Sequence, residues 1–579
     1  MILQALVQYY ENLASQELVT KPGWCHAKVS YAIELHQDGL IKSIIPLKYQ
    51  VDTGNKTVSM SQIFCVPEMV TRSSGIAANF LCDNAKYMLG IGDSGADMRT
   101  IECFNAAQEK HVSILKNTEG VMADAVCRYF ENWNPEHALE NEIIKEHFQE
   151  LNEGGNLIFC MRDKYAQDDE EIIKTWENQC GKIDDMNNGI CLVTGMKTEI
   201  ARIHRGIKGV PGAQSSGASL VSFNAPAFES YGKKQSYNAP VGKYAEYAYT
   251  TALNYLLNKS DCAYKIGDAM VVFWDESAEQ EYQKTFMLSL DPQPDNQEEI
   301  KKLFDNLEKD IWVDTEDVKI NPEQKFYILG ISPNAARLSV RFFYQSTFGN
   351  IMKNIIKHYK RMEIIKPQWA DNSYLGIKKM LLETVNKNAR DKTPISNMST
   401  MVLKAILSDT DYPASLYMDI IIRIRAEQGN ITYGRASIIK AYLIKNYKWK
   451  EGEDYMGLNE ECTDSAYVLG RLFAVLELIQ KEANPGINAT IKDRYFNSAC
   501  ATPANVFPIL LKLKNSHIRK LEKESIKVYY EKQLTDIMCK IEMTDAGYGF
   551  PRTLSLDDQG KFILGYYHQI QKKYEKKGE

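Results

Sequence analysis

The feature that most constrains this chain is a change of hydrophobic period near residue 345. Before it, short segments alternate apolar and polar side chains between Gly, Pro and Asp-Gly breaks: Val29–Leu35 (VSYAIEL), Ile41–Leu47 and Gly189–Val193. Alternation of this kind lines one face of a strand with every second residue. Ala269–Trp274 (AMVVFW) is an unbroken apolar run and predicts a buried strand. In Ala336–Tyr344 (ARLSVRFFY), Leu338, Val340 and Phe342 alternate with Arg337, Ser339 and Arg341, which predicts another. Helical spacing also occurs in this part, over residues 2–14 (Ile2, Leu3, Leu6, Tyr10, Leu13) and over 101–150, where no proline precedes Pro135. After residue 345 strand signals fade, and Leu, Ile, Lys and Glu recur in long helical patterns. The expectation is an α+β fold: a mixed part over 1–345, a basic helical region over 346–455 and a helical bundle over 456–579. At 579 residues the chain is too long for one ordinary domain, and no 20–50-residue repeat is visible.

Composition excludes several classes. With 44% apolar and 25% charged residues, the chain is neither disordered nor fibrous. No stretch approaches 18 uncharged apolar residues, so no spanning helix and no membrane partner are expected. The start, MILQALVQYYENLASQ, lacks a basic n-region and a cleavage site, which predicts a cytoplasmic protein. Twelve cysteines then read as reduced thiols, mostly buried. None is spaced C-x-x-C, so a zinc ribbon lacks its paired ligands.

Charge is distributed unevenly. The formal net charge of −6 argues against a broadly basic nucleic-acid binder. Yet residues 275–325 hold 15 acidic and 6 basic side chains, a net of −9, whereas 337–450 hold 20 basic and 8 acidic, a net of +12. Residues 200–270 are also basic, with 8 Lys/Arg against 4 Asp/Glu. Two basic blocks in an acidic chain suit either a local polyanion surface or solvated helix faces.

No catalytic set stands out. There is no G-x-x-x-x-G-K-[ST] phosphate loop, no H-E-x-x-H and no His-Asp doublet. His137 and His147 are ten residues apart, about 280° of helical rotation, and would not converge on one metal. The run Asp168-Asp169-Glu170-Glu171 reads as a loop or helix start, without spaced metal ligands. These readings favour a binding protein without catalytic residues, metal or cofactor over an enzyme.

The most informative segment is 204–228, HRGIKGVPGAQSSGASLVSFNAPAF. Gly206, Gly209, Gly212 and Gly217 permit close approach of backbone to a ligand. Gln214, Ser215, Ser216 and Ser219 supply small donors and acceptors beside the cations Arg205 and Lys208. Glutamine pairs bidentately with adenine, and serine contacts bases or phosphate. The same composition also suits a plain surface loop. G-x-S-x-G is not matched, which disfavours a serine nucleophile. A second candidate is Arg72–Tyr87 (RSSGIAANFLCDNAKY), where Arg72, Ser73, Ser74 and Gly75 predict a polar turn before a helix whose start suits an anion. Asn79 and Lys86 are positioned to face the same ligand. Phe80, at helical spacing, reads as core rather than as a base-stacking wedge.

These residues carry a resemblance. MILQALVQYY, TRSSGIAANFLCDNAKY, GAQSSGASLVSFNAPAFESYG with AYTTALNYLL after it, SPNAARLSVRFF (332–343) and AYVLGRLFAVLE (466–477) together resemble the large subunit of the subtype I-C CRISPR surveillance complex, Cascade. The match spans nearly the whole chain. It departs from the family pattern at Ala78, where proline is expected, and at Cys82, where tryptophan is expected. The resemblance implies a non-enzymatic DNA-recognition subunit. Such a subunit reads the protospacer-adjacent motif in duplex DNA, promotes unwinding and R-loop formation, and helps recruit a separate helicase-nuclease. Implied partners are the guide RNA, the duplex target and its displaced strand, the backbone subunits, the guide-RNA-processing subunit and a small helical subunit. Sequence reading is delegated to the guide, so a small motif-reading patch suffices. On chemistry and motif position, Gln214, Ser215, Ser216, Ser219 and Asn79 are expected to read the motif. Arg72, Ser73, Ser74, Lys86, Arg205 and Lys208 are expected to hold phosphates, and Arg337 and Arg341 to touch guide or target backbone. The +12 block is a candidate channel for the displaced strand. The small subunit is implied to arise by internal translation, with Met456 a suitable start and Met401 and Met418 competing ones. A pure scaffold, or a nuclease with clustered metal ligands, are the alternative readings.

Overall fold

The structure, a computed structural model, describes residues 1–52, 57–70, 72, 75–93, 95–180, 188–309, 314–315, 318–367, 370, 373–386, 388–390, 392–395, 397–449, 455–541 and 549–572. The fold is α+β, and the chain clusters into two compact units. The first holds residues 3–205 and 222–252; the second holds 206–221 and 253–579.

The first unit begins with α1 (Ile2–Ser15), which buries Leu6, Val7, Tyr9, Tyr10 and Leu13 on one face. Its strands are β1 (Trp24–Leu35), β2 (Ile41–Pro46), β3 (Lys48–Asp52), β4 (Thr57–Pro67) and β5 (Cys82–Asn84). The helices α2 (Ala85–Met88), α3 (Met98–Leu115), α4 (Val121–Asn132) and α5 (Glu142–Asn152) follow, then β6 (Asn156–Met161), β7 (Lys164–Tyr165) and α6 (Glu170–Cys180). The sheet runs β3-β4-β1-β6-β5, with β2 on β1 and β7 on β6. The β1–β6 pair is parallel; β1 is antiparallel to β2 and β4. Tyr31, Ile33, Leu157 and Phe159 meet a helical layer that includes Phe104, Val126 and Phe130. Val29, Ala32, Ile158 and Cys160 form a smaller core with Cys82. Cys82 therefore fills an apolar position, and Ala78 is buried beside Phe80 in the helical-side core. Phe80 is core, stacked on Trp176. The acidic run at 168–171 starts α6: Asp169 Oδ1 accepts the N–H groups of Glu171 and Ile172. A small hairpin of β8 (Asn188–Ile190) and β9 (Lys197–Glu199) and the first half of α7 (Lys243–Asn258) complete the unit.

The second unit carries the antiparallel sheet β10-β11-β14-β15, built from β10 (Ala263–Ile266), β11 (Ala269–Asp275), β14 (Lys325–Asn334) and β15 (Arg337–Thr347). The helices α8 (Gln280–Leu290) and α9 (Gln297–Glu308) and the short strands β12 (Asp314–Thr315) and β13 (Val318–Lys319) lie between β11 and β14 in sequence. One sheet face, with Val271, Phe273, Phe326, Ile328 and Phe342, joins an extended helical core. That core comes from α10 (Phe348–Met362), α11 (Ile377–Leu382), α12 (Met398–Ser408), α13 (Ala414–Ala426) and α14 (Tyr433–Lys445). It continues without a break into α15 (Ser465–Ala483), α16 (Ile491–Ala501), α17 (Pro503–Lys520), α18 (Glu524–Met538) and α19 (Leu556–Lys572). From Ala466 to Ile479 every residue of α15 is buried, the pattern of a central helix packed on all sides.

One expected alternation fails. Gly330 pairs with Phe342 but Ile331 pairs with Val340, so Arg341 is an extra residue bulged out of β15. The bulge turns Val340 to the opposite face from Phe342, and Val340 stays 44% exposed. All twelve cysteines are free thiols, seven of them buried. Among the described residues no helix is long and apolar enough to cross a membrane.

Candidate nucleic-acid interface

In the second unit, residues 206–221 form a loop closed by one hydrogen-bonded pair. Ile207 N–H donates to Ala218 O at 2.8 Å, and Ala218 N–H returns to Ile207 O at 2.9 Å. The buried side chains of Ile207, Val210 and Ala218 hold this base down. Gly206 and Gly217 let the two arms touch. A Cβ on Gly217 would stand 2.9 Å from Gly206 Cα, and Gly217 sits at φ +112°. Above the base, Gly217 N–H donates to Gln214 O at 3.0 Å, closing a turn over Ser215 and Ser216.

Two ties fix the loop to regular structure. Ser219 N–H donates to Ala336 O and Leu338 N–H donates to Ser219 O, both at 3.0 Å, so Ser219 runs parallel to Arg337 at the start of β15. Asn254 on α7 accepts Lys208 N–H at 2.8 Å and donates to Gly206 O at 3.4 Å. The result is an exposed polar tip on a fixed base. Gln214, Ser215 and Ser216 are exposed, and their side chains make no hydrogen bond to any described residue. Lys208 is exposed beside them in sequence, and Ser219 and Arg337 are half-buried. A tip of this kind presents one carboxamide and two hydroxyls, the groups that read base edges. Asn254 is the residue that sequence reading missed. Its signal was a polar position inside the apolar stripe Ala252, Leu253, Leu256, Leu257.

Arg341 donates to Asp268 at 2.9 Å, so its charge is matched within the unit. The +12 block is similarly occupied. Asp409 gathers Lys445 at 2.8 Å, Arg361 at 3.0 Å and Lys357 at 3.6 Å. Burial pushes the Asp409 carboxyl up, but Lys445 and Arg361 outweigh it and hold it below the usual range. Lys360 pairs with Glu308 and Lys378 with Asp291, both partners drawn from the acidic block. Arg435 is fully buried on Glu427, and buried Lys440 donates to Glu363 O. Asp409 and Glu427 are already counted within the +12, so of these pairs only those of Arg341, Lys360 and Lys378, with carboxylates outside the block, reduce the excess.

The 72–87 segment of the first unit is differently built. Arg72 forms a bidentate pair with buried Asp83, with Nη1–Oδ1 at 2.9 Å, and stacks 4.0 Å from the Tyr87 ring centroid. Asp83 Oδ2 also accepts Asn79 N–H at 2.9 Å. Asn79 is 1% exposed, and its Oδ1 accepts Val70 N–H at 2.9 Å. In this conformation Asn79 and Arg72 hold the segment's backbone rather than face a ligand. Burial of a polar loop group demands such partners, and the spacing of the residues did not show it. Lys86 is exposed on α2; Ser73 and Ser74 lie outside the described residues. Arg205, also in the first unit, pairs with Glu68 at 2.7 Å and stacks on Tyr247 at 4.5 Å. Its phosphate-holding role would require exchange of that partner. Met456 is half-exposed and its carbonyl accepts Ile365 N–H, nine residues before α15 begins.

The family model described as CRISPR-associated protein (Cas_Csd1) matches residues 6–574. No curated protein matches the chain.

Proposed function

The chain belongs to the Cas_Csd1 family of CRISPR-associated proteins, the large subunits of type I-C complexes, and from this we propose that it is the non-catalytic DNA-recognition subunit of an RNA-guided Cascade. In this reading it recognises the protospacer-adjacent motif in duplex DNA, promotes unwinding and R-loop formation, and helps recruit the helicase-nuclease. Its partners are the guide RNA, the target DNA, the backbone and guide-processing subunits and a small helical subunit. The supporting observation is the 206–221 loop, whose exposed Gln214, Ser215 and Ser216 side chains bond to no described residue and stand on a base fixed by Gly206, Gly217, Ser219 and Asn254. A fixed loop backbone lowers the ordering cost of binding, leaving the side-chain rotamers of the tip to be ordered on the bases. Lys208 and Arg337 supply phosphate contacts, and Asn79 acts indirectly through its bonds to Val70 and Asp83.

The test is binding of guide-matched duplexes with varied flanking trinucleotides to the assembled complex. Gln214→Ala is expected to relax the flank preference by about 1–3 kcal/mol while assembly persists. Flank preference unchanged in Gln214→Ala and Ser215→Ala/Ser216→Ala would remove the loop from motif reading. A parent complex without any flank preference would favour the scaffold reading. Metal-dependent cleavage by the purified chain would favour the nuclease.

A further inference from the structure

Residues 229–238 of the first unit take no part in the proposed motif-reading site. Ser230-Tyr231-Gly232-Lys233 fold into a tight reverse turn, with Lys233 N–H donating to Ser230 O at 3.0 Å. Tyr231 has φ +53° and Gly232 φ +69°, the left-handed pair of a type I′ turn. Asn238 clamps it. Its Oδ1 accepts Ser230 N–H at 2.9 Å, and its Nδ2 donates to Lys233 O at 2.8 Å and Gln235 O at 2.9 Å. The first central position of such a turn favours Asn, Asp or Gly, because a bulky side chain is strained at positive φ. Here it holds a tyrosine whose side chain is 98% exposed and makes no hydrogen bond to any described residue. Neither packing within the chain nor backbone preference accounts for an aromatic at this place.

The surroundings indicate what would meet it. Lys233 and Lys234 follow directly and are exposed, and exposed Arg202 donates to Gln235 at 2.8 Å. Glu229 is the one acidic residue among 222–238. A planar ring with cations beside it matches a polyanion that offers planar faces. We propose that Tyr231 is a stacking platform for an unpaired nucleobase of a single strand, with Lys233 and Lys234 on the flanking phosphates. This deepens the nucleic-acid reading and rests on it. Stacking on tyrosine is tolerant of base identity, which suits a strand whose sequence is set by the target and not by the protein.

The test uses the full-length chain and a short labelled oligothymidylate, titrated across salt concentrations. Tyr231→Ala is expected to weaken binding about 5- to 100-fold at fixed salt and leave the salt slope unchanged. Tyr231→Phe should bind like the parent. Tyr231→Asn relieves the turn but removes the ring, so it should lose affinity while holding or raising Tm. Lys233→Ala should flatten the slope by about 0.7. Parent-like affinity in both Tyr231→Ala and Tyr231→Asn overturns the proposal, as does a parent chain that does not bind the oligonucleotide at low salt. Variants that bind it normally but fail to join the other subunits make the ring a protein contact, which also overturns it. Flank discrimination by the parent complex separates the two readings. If it is present while Tyr231→Ala has no effect, only the stacking platform fails; if it is absent, the motif-reading function fails.

Discussion

At the scale of single residues, two side chains show how far a local environment can redirect a charge. Arg435 is 0% exposed and gives Glu427 two contacts, at 2.7 and 3.0 Å, besides donating to the carbonyls of Asn430 and Glu383. The hydrogen bonds from Arg435 hold the Glu427 carboxyl below its usual range. Removing one partner of a buried pair leaves the other uncompensated, so Arg435→Met is expected to cost about 3–5 kcal/mol in urea unfolding. A loss under 1 kcal/mol would show that water reaches the site. Gly217 makes the complementary case for the absence of a side chain. Gly217→Ala meets both a positive φ and the Gly206 backbone, and should cost about 1–3 kcal/mol and blunt flank preference. Gly195→Ala, at φ +73° but in open space, should carry only the conformational part. Equal effects from the two substitutions would mean that the Gly206–Gly217 crossing is not a tight one.

At the scale of elements, α15 and α19 pack backbone against backbone. A Cβ on Gly470 would stand 2.0 Å from Phe562 O, and one on Gly565 2.1 Å from Tyr467 O. Both distances lie inside any van der Waals contact, so the two backbones touch. Gly565→Ala must separate the helices, and an overpacking loss of about 3 kcal/mol is expected in thermal melts followed by circular dichroism. Gly457→Ala, in a bend with no described atom within 4 Å of the added Cβ, is an unhindered comparison. The same helices bear on the internal product proposed to start at Met456. Tyr417 donates to Leu556 O at 2.6 Å, Tyr567 donates to Ile365 O at 2.7 Å, and Asn497 donates to Arg425 O at 3.1 Å. A product beginning at Met456 lacks Ile365, Tyr417 and Arg425, and uncovers the face of α19 they pack on. Expressed alone, it is therefore expected to self-associate or bind a hydrophobic dye; a dry, monomeric fragment by light scattering would contradict this.

At the scale of the whole molecule, buried histidines make stability depend on pH below neutrality. Burial pushes His111, His358 and His568 down to about 3 and His204 to about 4. His111 Nε2 accepts Leu81 N–H at 2.8 Å, which requires a neutral ring. The other three each meet a tyrosine hydroxyl: Tyr412, Tyr467 and Tyr249. Folded values below the unfolded value near 6.5 mean that the unfolded chain binds more protons as pH falls. Stability is thus fully present above about pH 6.5 and is lost as pH falls from there toward 3–4. At pH 5.5 each histidine accounts for about 1 kcal/mol, so the urea midpoint should drop clearly between pH 7 and 5.5. A flat midpoint across that range would show these rings to be accessible to protons in the folded state.

What could be read from sequence follows from the range of the signal. The strands β1, β2, β11 and β15, the helix α1 and the shift to helices after residue 345 were legible because period 2 and period 3.6 are properties of neighbouring residues. The 204–228 segment was legible as a compliant polar loop because glycine and serine report backbone freedom directly. The rest depended on residues distant in sequence. Val340 changes face because of one bulged residue opposite Gly330 and Ile331. Arg341 meets Asp268, Lys378 meets Asp291, and Lys208 and Gly206 meet Asn254, pairings that composition cannot anticipate. Asn79 resembles a reading group by type and is a buried strut by position. The sequence by itself determined which segments form strands, helices and loops, since that choice is made by local sterics and periodicity. Tertiary structure alone decided which polar groups are satisfied internally and which are left facing outward, since burial and partnership arise only when distant segments meet.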